Sequence, residues 1–329
     1  MLIKRKLIYA LIAVSILLII SNVLLERYTK DKVVIVHELS KSKIEEKFIK
    51  ILNDYGIIND WITKTSPKRK TSDSLEYIYK IKLPLDVSIA SFIKDVNAEF
   101  VNQPVKVESI ENKNYSNSEL KITSNGFLKL DANLIHSRRI KREFAEYGFV
   151  IKIDDQVDDE ALDDLSKLYI NYAVAFIPSE YSSEILNKLR CDYVVLINDE
   201  ISDSRFELDE DFTKQRLINN IKEIIITYGR RVVYLIDKNS KIYDSKIYSL
   251  IKDEFEKRGI KILPLSYLTP LKADSKKQLV SLFQFYTTSL RGKKGETFLV
   301  MYDDFVTLVP LIEKQLKKGD KVVKPKLDQ

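Results

Sequence analysis

Histidine is almost missing from this sequence: His37 and His136 are the two in 329 residues. Both precede residue 147, so the longer second half has no imidazole for acid–base work or metal binding. Cysteine is equally scarce. With Cys191 alone, no intrachain disulfide can form. Zinc, which favours His and Cys, is not expected there either; Cys191 adjoins a predicted core strand and reads as a small buried hydrophobe. There are eight glycines, and none forms a phosphate-cradling loop after the first strand of the second half. Four carboxylates stand there instead (Asp154, Asp155, Asp158 and Asp159) and would repel phosphate, which excludes nucleotide binding. Scarce Gly beside abundant Lys, Ile, Asn and Tyr fits an A+T-rich genome. Basic residues exceed acidic ones only 54 to 48, a net +6 spread along the chain. Without a dense Lys/Arg block, nucleic acid is not an expected partner.

What is present points to folded domains. The chain is 45% hydrophobic and 31% charged, with length for about two domains. Lys4-Arg5-Lys6 precedes an apolar run over residues 7–25, long enough to span a bilayer. The basic flank predicts a cytoplasmic N-terminus, and no small-residue cleavage site follows. Residues 1–28 are therefore expected to be a cytoplasmic tip and signal-anchor transmembrane helix. The protein would be single-pass in the cytoplasmic membrane, with the bulk of the chain extracytoplasmic.

Residues 33–140 read as a small α+β, ferredoxin-like or related, module. Ser40 caps a helix with Ile44, Phe48, Ile51, Leu52 and Tyr55 on one face, stopped by Gly56. Alternation over 75–83 predicts a strand, Asp86 opens a second helix, and Val105 and Val107 mark another strand. Residues 120–134 form a hairpin turning at Asn125-Gly126. The polar stretch 63–74 reads as a mobile loop. His37 is expected on the surface or packed, and Trp61 in a core or edge position. The basic segment 137–143 is either a solvated linker or a contact for anionic lipid or glycan.

From residue 147 to 329 the pattern becomes regular. Strand-like runs fall at 149–153, 172–177, 193–197, 232–236, 260–265, 298–301 and 321–323, with helical patterns between them. Seven strands alternating with six helices predict a parallel sheet with helices outside. A barrel with a missing eighth strand is favoured over an open doubly wound sheet. In such folds the strand ends form the functional face. Four of the six leading ends carry carboxylates: Asp154-Asp155, Asp199-Glu200, Asp237 and Asp303-Asp304. Facing one mouth, they would raise one another's pKa or attract a hard cation, Mg, Mn or Ca. Equally, Asp and Asn at strand-to-helix junctions simply cap helices.

Ile151-Lys152-Ile153-Asp154-Asp155 resembles the opening strand motif of the divergent polysaccharide deacetylases, relatives of the NodB-like carbohydrate esterases. Tyr172-Ala173-Val174-Ala175-Phe176-Ile177-Pro178, Asp192-Tyr193-Val194-Val195-Leu196, Asn239-Ser240-Lys241-Ile242-Tyr243-Asp244 and Glu254-Phe255-Glu256-Lys257-Arg258-Gly259 resemble later segments in the same order, over about 147–325. The resemblance implies a distorted seven-stranded (β/α) barrel and metal-assisted removal of an N-acetyl group from a glycan. It implies Asp154 as base and Asp155 as metal ligand. The family's histidines are replaced by the Asn198-Asp199 region, by Asp237 and by Tyr302-Asp303; His136 lies upstream of the barrel.

Loss of two imidazole ligands would remove most zinc affinity. The expectation is a catalytically degenerate, membrane-anchored deacetylase-like protein binding glycan or an envelope protein, with no cofactor. One alternative is an active metal-dependent hydrolase in which Asp155, Asp199, Asp237 and Asp303 hold a divalent cation. Another is a structural bitopic component of an envelope assembly.

Overall fold

The computed structural model describes residues 14–15, 17–21, 38–67, 75–111, 117–154, 157–186, 188, 191–293 and 295–327. His37, Asp155 and residues 68–74 lie outside them. The chain divides into two compact units, the second comprising residues 54–56 and 139–329.

In the first unit, helix α1 (Lys41–Asp54) buries Ile44, Phe48, Ile51 and Leu52, whose spacing forms one apolar face. Helix α2 (Ile89–Phe100) starts at Ser88, whose hydroxyl accepts the Ser91 amide at 3.3 Å, and buries Phe92, Val96 and Phe100. Five strands, β1 (Ile62–Thr65), β2 (Ile78–Leu83), β3 (Val105–Glu111), β4 (Asn117–Ser124) and β5 (Phe127–His136), lie in the order β1-β2-β5-β4-β3. The β4–β5 hairpin turns on Asn125 (φ 51°) and Gly126 (φ 83°). Two successive positive φ values make this the turn that Asn-Gly favours. His136 Nε2 lies 2.8 Å from the Val87 carbonyl oxygen, a structural bond. Trp61 is half-buried just ahead of β1.

The ferredoxin-like expectation is corrected. That fold runs β-α-β-β-α-β, whereas this unit runs α1-β1-β2-α2-β3-β4-β5, with β2 and β5 parallel. The order differs even apart from β1, a strand that falls in the stretch expected to be a loop. Its sequence, Ile-Thr-Lys-Thr, shows no apolar alternation because it is an exposed edge strand.

In the second unit, β6 (Glu146–Lys152), β7 (Tyr172–Phe176), β8 (Asp192–Ile197), β9 (Val233–Ile236), β10 (Ile262–Pro264), β11 (Thr269–Leu271), β12 (Glu296–Met301) and β13 (Lys321–Val322) form one parallel sheet. Its path is β10-β9-β8-β7-β6-β12-β11, with β13 paired to β6 off the path. The helices are α3 (Asp159–Ser166), α4 (Glu180–Ile185), α5 (Lys214–Tyr228), α6 (Lys241–Asp244), α7 (Tyr248–Glu256), α8 (Lys276–Leu290) and α9 (Tyr302–Lys318).

Period-2 alternation sorts these strands by size. Tyr147, Phe149, Ile151, Val174, Phe176, Phe298 and Val300 enter one core, and Val195, Ile197, Tyr234 and Ile236 a second, both packed with helix residues. The opposite face holds Val150, Ala173, Ala175, Val194, Leu196, Val233, Leu235 and Leu263. The aromatic side chains lie on the first face, and Ala, Val and Leu make up the second, a difference that suits a sheet curled around that second face.

The chain itself demands that curl. Edge strands β10 and β11 are consecutive, separated by residues 265–268. Five residue steps reach about 18 Å. A flat seven-stranded sheet would hold its edges about 29 Å apart. The edges must therefore approach, yet they do not pair: the expected distorted seven-stranded (β/α) barrel is corrected to an open half-barrel of seven strands. Each edge strand has three residues and a proline, Pro264 or Pro270. Proline has no N–H to donate and belongs on edge strands. A sequence pattern of seven βα units does not report whether the ends meet.

Among the described residues no helix is long and apolar enough to cross a membrane. The expected transmembrane helix is thus not supported among them, and most of the segment it was assigned to lies outside the described residues. Of residues 7–25, only 14–15 and 17–21 are described, and they are helical and exposed.

Candidate functional site

Strands β6 and β12 are neighbours in full register, Met301 opposite Lys152. Each leads directly into a helix, β6 through a short loop into α3 and β12 without a break into α9. Their carboxyl ends and the two helix starts enclose a cleft of about 420 Å³, lined by Lys152, Asp154, Val157, Asp158, Glu160, Ala161, Asp164, Met301, Tyr302 and Asp303. Five of these are carboxylates against one lysine. Lys152 is itself paired with Glu200 at 3.2 Å, and Glu200 also accepts from the Asn198 amide at 3.2 Å.

Local structure accounts for part of this acidity. Asp158 caps α3, accepting the Ala161 amide at 2.9 Å. Asp303 and Asp304 occupy the first turn of α9, whose N-cap Met301 provides no side-chain bond. Carboxylates at helix starts are favoured by the helix dipole, typically by about 0.3–1 kcal/mol each. The loop between β6 and α3 is held by the Tyr181 hydroxyl, which donates to the Val157 carbonyl. Tyr302 feels the surrounding charge. Burial pushes its hydroxyl pKa upward, and Asp164, Asp158, Asp303 and Glu160 add to the rise.

Asp154 and Asp303 thus share one cleft, both exposed. Asp199 and Asp237 do not line it. Asp199 accepts the Lys241 amide at 3.0 Å, securing the start of α6. Asp237 accepts the Asn239 amide at 2.9 Å in a turn of its own loop. These are the capping roles open to Asp at such junctions. Among the described residues, no group of three or more His, Cys, Asp or Glu is arranged to hold a metal ion. Asp155 is outside the described residues. Glu160 and Asp164 were not singled out by the sequence, and Tyr302 was named only beside Asp303 at its strand end. Glu160 and Asp164 are spaced i and i+4 on α3, the one signal that they share a helix face. Cys191 is half-buried, with its thiol pushed up to about 11 by burial and then by Asp192, so it is not a ready nucleophile. In the basic segment, Arg142 Nη1 donates to the Lys317 carbonyl at 2.6 Å, capping the end of α9.

No family model matches the chain, and no curated protein does. Among solved structures, the crystal structure of uncharacterized protein ATU2773 from Agrobacterium tumefaciens C58 is similar at 8% sequence identity and a TM-score of 0.36. The similarity covers 56% of this chain and 88% of that one. A likeness this faint supports neither a family nor a function.

Proposed function

We propose that residues 147–329 form a deacetylase-like, non-catalytic glycan-binding domain acting at the cell envelope. The observation that carries this is the carboxylate-lined cleft at the carboxyl ends of β6 and β12. Carboxylates accept hydrogen bonds from sugar hydroxyls, and the Tyr302 ring offers an apolar face with a polar tip. The excess of negative charge disfavours anionic ligands and suits neutral or amino sugars. The envelope location rests on the basic and apolar start of the sequence, and the deacetylase kinship on the motif order given above.

The test is calorimetric titration of the full chain with chitin oligosaccharides, N-acetylated and de-N-acetylated. Binding should weaken at least tenfold in Tyr302→Ala and in Asp303→Asn. No binding, or binding indifferent to both changes, would sink the proposal. A competing hydrolase that holds Mg, Mn or Ca keeps one favourable observation, the sharing of the cleft by Asp154 and Asp303. Deacetylation abolished by Asp154→Asn, together with a bound divalent cation in metal analysis, would replace the binding role with that one.

A further inference from the structure

At the opposite end of the sheet the segment after α9 closes over β6, and its closing group is a buried acid. Gly319 ends α9 at φ +107°, a left-handed conformation that glycine adopts freely. Asp320 follows, with a side chain 0% exposed. Its Oδ1 accepts the Ala145 amide at 3.0 Å. The Lys321 and Val323 amides donate at 2.9 Å to the Ala145 and Tyr147 carbonyls, respectively. These bonds fill the part of the β6 edge that β7 leaves free, because β7 pairs only from Phe149 onward. A Cβ on Gly148 would stand 2.9 Å from Pro325 Cα, so the segment lies closer to β6 than a side chain permits. Leu327 then reaches the inner core.

One feature of this closure is unfavourable. Asp320 Oδ2 and the Tyr147 hydroxyl are both buried without a hydrogen-bond partner. Arg291 Nε stands 3.9 Å from Oδ1, beyond hydrogen-bond reach. Four titratable or charged groups face the acid: Tyr147 on β6, Arg291 after α8, Lys318 ending α9 and Arg142 ahead of β6. Burial raises the Asp320 pKa, opposed by the Ala145 amide and then by Arg291, Lys318 and Arg142.

We propose that residues 320–327 are a pH-sensitive strap, closed on β6 while Asp320 is protonated and released as it ionises. Buried with one oxygen unpaired, a neutral carboxyl costs far less than an ionised one. The closed form binds the proton more tightly than the open form, whose carboxyl has the ordinary value of about 3.9. Closure is therefore strongest below about pH 4 and weakens as pH rises through the raised value of the closed form. Release bares the Glu146–Tyr147 edge of β6 and the inner surface under Leu327.

The test is amide hydrogen exchange on the full chain at pH 5 and pH 8, corrected for the intrinsic pH dependence. Protection at Lys321 and Val323 should fall at least tenfold at the higher pH, while Val150 and Ile151 hold theirs. Asp320→Asn, neutral throughout, should flatten the dependence. A carbon-13 titration of the Asp320 carboxyl in the unmodified protein decides the matter independently of how that variant folds. Equal corrected protection at both pH values, or titration at or below the ordinary aspartate value, would overturn the proposal.

Discussion

The two ends of the parallel sheet use aspartate in opposite ways. At the carboxyl end Asp154, Asp158, Asp164 and Asp303 are exposed around an open cleft, two of them, Asp158 and Asp303, at helix starts. At the amino end Asp320 is sealed, holds one amide and leaves an oxygen unpaired. An exposed carboxylate at a helix start is stable locally and available to a ligand. A buried one is committed to structure and made sensitive to pH. Residue type alone carries neither role; the strand end at which the residue emerges decides between them.

The harshest way to probe this contrast is to damage the core the two ends share. Phe149 sits mid-strand in β6, with its ring 5.3 to 6.0 Å from those of Tyr147, Phe283, Phe298 and Phe305. Phe149→Ala should cost about 3–5 kcal/mol and loosen both ends together. Urea unfolding followed by exchange at Val323 and by Tyr302 fluorescence would check this. If one end survives intact, the two do not depend on one core.

Next in size is Asp320→Ala. It leaves the Ala145 amide buried and unpaired, at a cost of about 1–3 kcal/mol. The loss should be greatest at acid pH, where the native carboxyl is neutral, and smaller at pH 8. Denaturation midpoints across pH 4–8 give the comparison, and a loss that grows with pH would contradict the direction given for Asp320.

Much of the second unit was legible because its strands are apolar runs separated by amphipathic helices. Ala173-Val174-Ala175-Phe176 even shows the small-inside, large-outside alternation that goes with a curled sheet. What was not legible depends on long-range geometry. Strand β11 is Thr-Pro-Leu, too short and polar to stand out, and it pairs with β12 from across the chain. It is one of the two edges that stay unpaired and leave the half-barrel open. In the site, Asp154 and Asp303 were foreseeable as carboxylates at neighbouring strand ends. Asp199 and Asp237 follow the same rule in sequence, and only the backbone amides of Lys241 and Asn239 show them to be loop fasteners. The role of Asp320 has no local signal at all, since its partner Ala145 is 175 residues away.

The smallest effect on stability is expected where the effect on ligand and on titration is largest. Asp164→Asn and Asp303→Asn each remove one charge from an exposed cleft. Asp303→Asn gives up a favourable position in the first turn of α9, worth about 0.3–1 kcal/mol, and gains relief from neighbouring carboxylates. The net change should stay within about 0.5 kcal/mol. Tyr302 reports the same charges more directly. Its pKa is raised by burial first and then by Asp164, Asp158, Asp303 and Glu160, in that order. Both substitutions should therefore lower it, Asp164→Asn more than Asp303→Asn, with burial keeping it above the ordinary value of about 10. Because the folded-state value is raised, the associated stability is lost as pH climbs above about 10, and the variants should lose less there than the parent. Ultraviolet titration of the tyrosinate band, referenced to Tyr302→Phe, measures each step. An unmoved Tyr302 in both variants would mean that the carboxylates point away from it, and the cleft would lose the one aromatic group that ties its acidity to sugar binding.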